Sequence, residues 1–127
     1  MKLTYEGGLR FVAERRGHTI STDLPRDKGG TDLGMTPTEL LIVSLGGCIG
    51  IYVADYCRNV GLNCDGMTVE VSLEVVESPR RIGRFRIALN VPAGIPEKRR
   101  AAVKRVAEHC FIHQTFLHPP EMTIELA

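Results

Sequence analysis

The sequence has no tryptophan, few other aromatic residues and almost no excess of charge. Aromatic residues make up 6% of the 127 positions, and 16 basic against 15 acidic side chains leave a formal net charge of +1. A phosphate-binding surface usually shows as a basic domain with stacking aromatic residues, so we expect no nucleic-acid partner. Residues 1–6 also lack the basic start and apolar run of a signal peptide, which favours a cytoplasmic protein.

Long apolar runs are scarce as well. The longest segment without a charged residue covers positions 40–54 and includes three glycines. This segment is shorter than the roughly 20 apolar residues that a membrane span requires, so we expect no membrane partner. With 43% hydrophobic residues, the composition suits one globular domain over residues 1–127.

The first third of the sequence has the alternation of short strands. Apolar and polar residues alternate over residues 3–5 and 11–13, and the run 18–22 follows a turn signal. These runs predict N-terminal antiparallel strands. Residues 25–34 are dense in turn residues and charges, which predicts an exposed loop.

A long central helix is predicted next. The run Thr36-Pro37-Thr38-Glu39 has the arrangement of a capping box with proline in the first turn, and Gly61 is a typical helix stop. Residues 40–54 would be apolar on every side of this helix, which indicates burial all round. Because one chain of this length can hardly cover such a helix, we expect a homodimer.

The second half of the sequence completes an α+β fold. Strict alternation over residues 69–75 and 85–91, with a turn over residues 78–83, predicts a β-hairpin, and Pro96 opens a second amphipathic helix whose apolar face extends to Cys110. Met122, Ile124 and Leu126 predict a short C-terminal strand. The predicted architecture is therefore a set of N-terminal strands, a long central buried helix, a hairpin, a second helix and a last strand.

The four cysteines are unevenly spaced. They lie at positions 48, 57, 64 and 110, and these intervals do not resemble the C-x2-C pairs of structural zinc sites. His109 and His113 lack a clear third and fourth ligand, so we expect no metal. We interpret Cys57 and Cys64 as small buried or half-exposed free thiols, because disulfides are rare in a reducing cytosol.

Cys48 is the strongest candidate for chemistry. Three glycines lie within two residues of it, and each costs a helix about 1 kcal/mol relative to alanine. Such a pattern indicates either close packing of backbones or open access to the sulfur. A thiolate at this position needs a cation from elsewhere, because Cys48 lies about three turns beyond the helix start, where the helix dipole has faded.

Glu39 has two interpretations. It is the glutamate of the capping box, or a carboxylate that orients an arginine over Cys48. Nine residues of helix place it about 13 Å from Cys48 along the axis, which excludes direct contact on one straight helix.

The sequence resembles a known family at these positions. The run Pro37–Leu41, followed by Leu45–Cys48 in a long apolar helix and by a second cysteine at Cys110, is similar to the osmotically inducible protein C and organic hydroperoxide resistance proteins (OsmC/Ohr). The resemblance implies an intertwined homodimer with active sites between subunits. It departs from the family's Cys-Pro-Val-Ser-Lys pattern at residues 110–114, which read Cys-Phe-Ile-His-Gln.

The resemblance also implies roles for individual residues. Cys48 matches the peroxidatic cysteine, Cys110 the resolving cysteine, and Glu39 the glutamate that orients a catalytic arginine. Arg15 and Arg16 both precede a Gly-His pair, as that arginine does in the family, and we favour Arg15. On these grounds Cys48 and Cys110 form a disulfide upon oxidation, while the other two cysteines stay free.

The implied activity is a two-cysteine thiol peroxidase. Cys48 would attack an organic hydroperoxide, Cys110 would resolve the sulfenic acid, and a dithiol would reduce the disulfide without any cofactor. Two alternatives remain: a non-catalytic binder of small apolar ligands in the dimer cleft, and a different thiol chemistry in which His113 serves Cys48 as base.

Overall fold

The structure, a computed structural model, describes residues 1–126. The chain divides into two compact units, Met1–Val43 and the part that begins at Ser44. The expectation of a single domain over the whole chain stays a prediction.

The N-terminal unit contains the expected antiparallel strands. β1 (Leu3–Tyr5), β2 (Phe11–Arg15) and β3 (His18–Thr22) form a three-stranded sheet in the order β1-β2-β3. The β2–β3 turn uses Arg16 and Gly17, both with positive φ, of 52° and 77°. Glycine adopts this left-handed region without the Cβ penalty, which explains its place in so tight a turn.

The loop after β3 is organised around a buried carboxylate. Asp23 accepts hydrogen bonds from the backbone amides of Leu24 at 2.8 Å, Thr31 at 3.0 Å and Leu33 at 3.2 Å, and from the Thr31 hydroxyl at 2.5 Å. The Thr31 hydroxyl and these amides hold the pKa of Asp23 at about 2. The segment between Asp23 and Leu33 is therefore a defined loop in which one ionised side chain satisfies several backbone donors.

α1 (Pro37–Asn59) begins and ends close to where the sequence predicts. Its first turn has the capping box: the Glu39 amide donates to the Thr36 hydroxyl at 3.2 Å, and the Glu39 carboxylate accepts from the Thr36 amide at 2.7 Å. Gly61, with φ of 71°, follows the last turn. Local hydrogen bonding thus defines both ends of the helix.

Within its own chain α1 is buried along one face only, so the burial on every side that the sequence predicts with the help of a second subunit stays a prediction. Within the described chain the buried side chains recur at intervals of four residues, while apolar Ile51 on another face is 69% exposed. By length and composition alone this 23-residue helix could cross a membrane, and the core helices of soluble proteins meet the same criterion. Its buried face is packed as a protein core. The buried side chains are Leu45, Ile49, Val53 and Cys57.

The part of the chain from Ser44 contains the expected hairpin. β4 (Thr68–Glu77) and β5 (Arg80–Asn90) pair antiparallel. Glu74 lies opposite Arg84 in the register and also pairs with Arg86 at 2.7 Å. Acidic side chains on β4 and basic ones on β5 therefore face each other across the exposed side of the hairpin, as the sequence predicts.

The second predicted helix is divided in two. α2 (Glu97–Glu108) ends before Cys110, and α3 (Phe111–Leu117) begins after it. Cys110 has φ of −62° and ψ of 146°, an extended conformation, and is the N-cap of α3. The placement of Cys110 within the second helix was therefore wrong, because His109 is the C-cap of α2 and the next residue, Cys110, is the N-cap of α3.

The predicted C-terminal strand is also wrong. Residues 122–126 are not in a strand, and Met122, Ile124 and Leu126 are almost fully exposed, Ile124 at 95%. Their alternation satisfies the pattern of a strand, but a strand forms only where its backbone pairs with another one. No described residue pairs with this segment.

Two apolar clusters form the core of this part of the chain. One contains Val53 and Cys57 of α1 with Ile95 and Val103, and the other contains Leu45 and Ile49 of α1 with Cys110. α1 therefore contributes to both clusters along one face, and the hairpin and the later helices cover that face.

Cys57 and Cys64 form a disulfide between the last turn of α1 and the following loop. Their Cα atoms are 6.6 Å apart, within the range that a bridge spans. The expectation that both remain free thiols was wrong. It rested on the rarity of disulfides in a reducing compartment, whereas the helix end and Gly61 turn the chain back so that the two residues meet.

Candidate functional site

The fold brings Cys48 and Cys110 together. Cys48 is half-buried on α1, and Cys110 is fully buried at the start of α3. Both belong to the cluster built around Leu45 and Ile49, and both thiols are free. The predicted peroxidatic and resolving positions thus lie side by side, with the more accessible thiol at Cys48.

The thiol of Cys110 is held by the start of α3. Its Sγ accepts a hydrogen bond from the backbone amide of His113 at 3.3 Å, the arrangement of a helix N-cap. Burial raises the pKa of Cys110, the His113 amide opposes that shift, and the neighbouring Cys48 thiol raises the pKa further. Cys110 is therefore a protonated thiol near neutral pH, and a reaction at its sulfur requires removal of that proton.

The glycines around Cys48 serve two different purposes. A Cβ added at Gly46 would lie 3.2 Å from Cγ2 of Val71, so the missing side chain lets β4 approach the helix closely. At Gly47 an added Cβ would meet nothing within 4 Å. The sequence left open whether the glycines give close packing or access, and in the structure Gly46 is closely packed while Gly47 faces open space.

An apolar groove of about 430 Å³ adjoins the apolar cluster of the two thiols, and neither cysteine lines it. Ile49 and Ala107 line the groove and also belong to that cluster. Leu89 and Val91 add to its apolar wall, and charged side chains stand at its rim. The polar residues of the lining are Arg100, Lys104, Glu108 and His113.

Glu39 is placed at the start of α1, where its carboxylate serves the capping box. It accepts from the amide and the hydroxyl of Thr36, at 2.7 and 3.0 Å. These hydrogen bonds, with a Coulombic contribution from Lys28, lower the pKa of Glu39. Within residues 1–126 no arginine lies at ion-pair distance from it. Its role towards an arginine stays a prediction.

Arg15 and Arg16 are placed at the β2–β3 turn of the N-terminal unit. Arg15 is the last residue of β2, paired with His18 in the register, and both arginines are exposed. Arg16 has a left-handed backbone and lies in the turn itself. Arg15 therefore has the extended backbone of a strand, whereas Arg16 has the left-handed backbone of a turn. The activating role of Arg15 stays a prediction.

The two histidines near Cys110 do not share a helix face. His109 follows the end of α2, and its Nδ1 lies 2.7 Å from the carbonyl oxygen of Arg105. His113 is in α3, and its Nδ1 lies 2.6 Å from the carbonyl oxygen of Glu108. Since a carbonyl oxygen only accepts hydrogen bonds, both rings carry their proton on Nδ1. Within residues 1–126 no group of three His, Cys, Asp or Glu side chains could hold a metal ion.

The sequence interpretation missed two features of this region. The Cys57–Cys64 disulfide had a usable signal, since Gly61 between the two cysteines predicts a reversal of the chain. No sequence signal predicted the groove, because its lining comes from α1, β5, α2 and α3 together.

Comparison with protein families gives the relationship of this chain to others. The family model described as OsmC-like protein matches residues 29–125. The chain belongs to the OsmC-like family. Most of this OsmC-like protein lies within the match, including Glu39, Cys48 and Cys110, whereas Arg15 lies before it. No curated protein gives a significant match.

Solved structures similar to this OsmC-like protein agree with its fold. An osmotic stress induced and detoxification response protein from Psychrobacter arcticus 273-4 is 28% identical, with a TM-score of 0.81 over 90% of this chain and 85% of that one. An OsmC-like protein from Mycoplasma pneumoniae is 14% identical, with a TM-score of 0.74 over 87% and 80% of the two chains.

A third similar structure carries a functional name. It is an organic hydroperoxide resistance protein OsmC from Legionella pneumophila, 14% identical, with a TM-score of 0.53 over 89% of this chain and 90% of that one. At such identity the likeness concerns the fold alone. The α+β architecture expected from the sequence is confirmed by these neighbours.

Proposed function

We propose that this OsmC-like protein is a thiol peroxidase that reduces organic hydroperoxides with two cysteines. The observation that carries the proposal is a pair of free thiols in one apolar cluster. Cys48 is half-buried and Cys110 is fully buried. A nucleophile that must meet a substrate needs access, whereas a resolving thiol needs only to reach the nucleophile.

The proposed cycle has three balanced steps. The Cys48 thiolate attacks the outer oxygen of R–OOH, the O–O bond breaks, and with one proton the products are R–OH and a sulfenic acid on Cys48. The Cys110 thiol then attacks the sulfenic sulfur, which yields the Cys48–Cys110 disulfide and water. A dithiol reductant exchanges with this disulfide and restores both thiols.

Arg15 and Glu39 complete the proposed machinery. Arg15 supplies the cation that favours the thiolate at Cys48, because the helix dipole is too distant to do so. Glu39 orients that arginine in addition to capping α1. These two roles come from the family resemblance, and the substitutions described in the Discussion test the arginine.

We further propose that the protein works as a homodimer in the cytoplasm. α1 has exposed apolar side chains on the faces that its own chain does not cover, Val43 at 54%, Ile51 at 69% and Tyr52 at 40%. A second copy of the chain would cover these exposed faces of α1, since obligate homodimer interfaces resemble a divided hydrophobic core. Sedimentation that finds a folded monomer at low micromolar concentration would contradict this.

The substrate class follows from the apolar wall of the groove. An organic hydroperoxide can place its hydrocarbon body against Ile49, Leu89 and Val91, whereas hydrogen peroxide gains nothing from such contacts. Consumption of cumene hydroperoxide and of hydrogen peroxide, each with dithiothreitol as the dithiol, tests this. We expect a higher kcat/KM for cumene hydroperoxide, and equal values would remove the argument for an organic substrate.

The groove also supports a second candidate function, a non-catalytic binder of small apolar ligands. Its size and apolar lining suit a small molecule whether or not a reaction takes place. In that case the protein would bind such ligands while Cys48 stays reduced in the presence of hydroperoxide. Mass spectrometry of Cys48 after exposure to cumene hydroperoxide separates the two functions.

A further inference from the structure

We propose that His113 is the base that accepts the proton of Cys110 when Cys110 resolves the sulfenic acid on Cys48. The inference rests on the proposed peroxidase function and adds to it a residue that the family resemblance does not supply. It depends on the position of His113 beside Cys110, on the state of its ring and on the lining of the groove.

Position is the first argument. The backbone amide of His113 donates to Sγ of Cys110 at 3.3 Å, so the residue that carries the imidazole is in direct contact with the thiol. His113 also lines the groove, together with Ile49 and Ala107 that pack against Cys110. General bases act directly or through one water, and in the proposed step Cys110, fully buried in the resting protein, opens towards the imidazole when it attacks the sulfenic acid.

The state of the ring is the second argument. Nδ1 of His113 lies 2.6 Å from the carbonyl oxygen of Glu108, so Nδ1 carries the proton and Nε2 carries the lone pair. Within residues 1–126, Nε2 makes no hydrogen bond. The ring is therefore oriented by the backbone and has a free acceptor nitrogen, as a general base requires.

The other charged groups of the groove are less suited to this task. Glu108 is paired with Lys104 at 3.7 Å, and Arg100 is paired with Glu97 at 3.0 Å. The carboxylate beside the groove is thus held by a cation, and the two cations cannot accept a proton. This leaves His113 as the proton acceptor on the groove.

The need for a base follows from the burial of Cys110. Its thiol is protonated near neutral pH, as described above, and attack on the sulfenic acid must release that proton. In the proposed step the Cys110 sulfur forms a bond to the Cys48 sulfur, the S–OH bond breaks, and His113 passes the thiol proton to the departing hydroxide. The products are the disulfide and one water, and His113 is again neutral.

The test separates the two chemical steps in the full-length protein. One equivalent of cumene hydroperoxide is added, dimedone traps the sulfenic acid on Cys48, and mass spectrometry follows the Cys48–Cys110 disulfide. In His113→Gln we expect the sulfenic acid to form at the wild-type rate and the disulfide to form roughly 100-fold more slowly. The fold should persist, because Nε2 of Gln114 also donates to the Glu108 carbonyl oxygen, at 2.7 Å.

Two further measurements exclude a purely structural effect. Added imidazole should restore disulfide formation in His113→Gln, which a distorted site would not allow. His109→Gln is the matched control, because His109 makes the same kind of Nδ1 hydrogen bond to a backbone carbonyl but does not line the groove. We expect this variant to resolve the sulfenic acid at the wild-type rate.

The possible failures are distinguishable. If the wild type forms neither the dimedone adduct nor the Cys48–Cys110 disulfide, the peroxidase function fails and the role of His113 falls with it. If Cys48 is oxidised and His113→Gln resolves its sulfenic acid at the wild-type rate, the peroxidase function stands and the role of His113 is refuted. Slower formation of the adduct in His113→Gln would instead assign the histidine to Cys48 and would also refute the proposal.

Discussion

The two cysteine pairs of this protein share a helix and differ in almost everything else. Cys57 and Cys64 are seven residues apart in sequence and form a disulfide at the end of α1, within the cluster of Val53 and Val103. Cys48 and Cys110 come from distant parts of the chain, remain free and belong to an apolar cluster that adjoins the groove. The first pair closes a short loop, whereas the second pair depends on the packing of α1 against α3.

The difference shows what separates a structural cysteine pair from a reactive one. Both pairs are close in space and largely buried, so proximity and burial do not distinguish them. Each pair has one buried member, Cys57 or Cys110, and one half-buried member, so access does not distinguish them either. The candidate reactive pair is identified by its two free thiols and by the hydrogen bond that the Cys110 sulfur accepts from the His113 amide.

The largest expected effect tests this distinction directly. Cys48→Ser should reduce peroxide consumption by roughly a thousandfold or more, since removal of a nucleophile eliminates the first bond-forming step. Cys64→Ser should leave the rate unchanged, because the Cys57–Cys64 pair takes no part in the cycle. The assay is consumption of cumene hydroperoxide with dithiothreitol. Equal losses of peroxide consumption in both variants would show that the two cysteine pairs do not differ in function.

The next effect concerns stability. Loss of the disulfide in Cys64→Ser should lower the free energy of unfolding by about 2 kcal/mol, the value expected when a loop of this length is no longer closed in the unfolded chain. Urea unfolding measures the change. Dithiothreitol should lower the stability of the wild type to that of the variant and leave the variant unaffected. If the reductant has no effect on the wild type, the pair does not act as a structural bridge.

A smaller effect is expected at the N-terminal turn. Arg15→Ala should slow alkylation of Cys48 by iodoacetamide roughly tenfold or more near neutral pH, because the thiolate loses its cation. Arg16→Ala is the matched control and should be nearly silent, since Arg16 lies in the turn and not on β2. Unchanged alkylation in both variants would leave the reactive pair without an activating group and favour the ligand-binding function.

The smallest effect concerns the coupling between the two free thiols. Burial is the largest cause of the raised pKa of Cys110, and the Cys48 thiol adds to it. In Cys48→Ala the Cys110 thiolate should therefore appear at lower pH than in the wild type, yet still above the ordinary value for cysteine. Ultraviolet absorbance of the thiolate during a pH titration gives both midpoints, with Cys110→Ala as the blank. Identical midpoints in the variant and the wild type would mean that the thiols do not interact.

Local signals predicted much of the fold. The capping box at Thr36 and Glu39 and the glycine at position 61 define α1, and strict alternation defines β4 and β5. These features depend on neighbours in sequence, so pattern and capping chemistry are sufficient for them. The prediction of a C-terminal strand was wrong because a strand also needs a partner from elsewhere, and alternation over residues 122–126 does not provide one.

The site was predicted in part. The residues around Cys48 and the later Cys110 identified the two thiols through the family resemblance, and the structure places them together. We expected Cys57 and Cys64 to be free thiols because disulfides are rare in a reducing cytosol. That expectation gave too little weight to the chain reversal that Gly61 predicts. His113 was considered in sequence as a metal ligand and as a base for Cys48, and its contact with Cys110 depends on the break between α2 and α3.

The sequence by itself determined where helices and strands begin, which faces are apolar and that a lone thiol is set among glycines, because each of these follows from residues a few positions apart. Only the tertiary structure decided that Cys110 is an extended N-cap, that α1 buries one face, and that a groove adjoins the cluster of the thiols. These features depend on side chains from distant segments that pack together. Such packing is set by the shape and volume of the whole core, which no local pattern encodes.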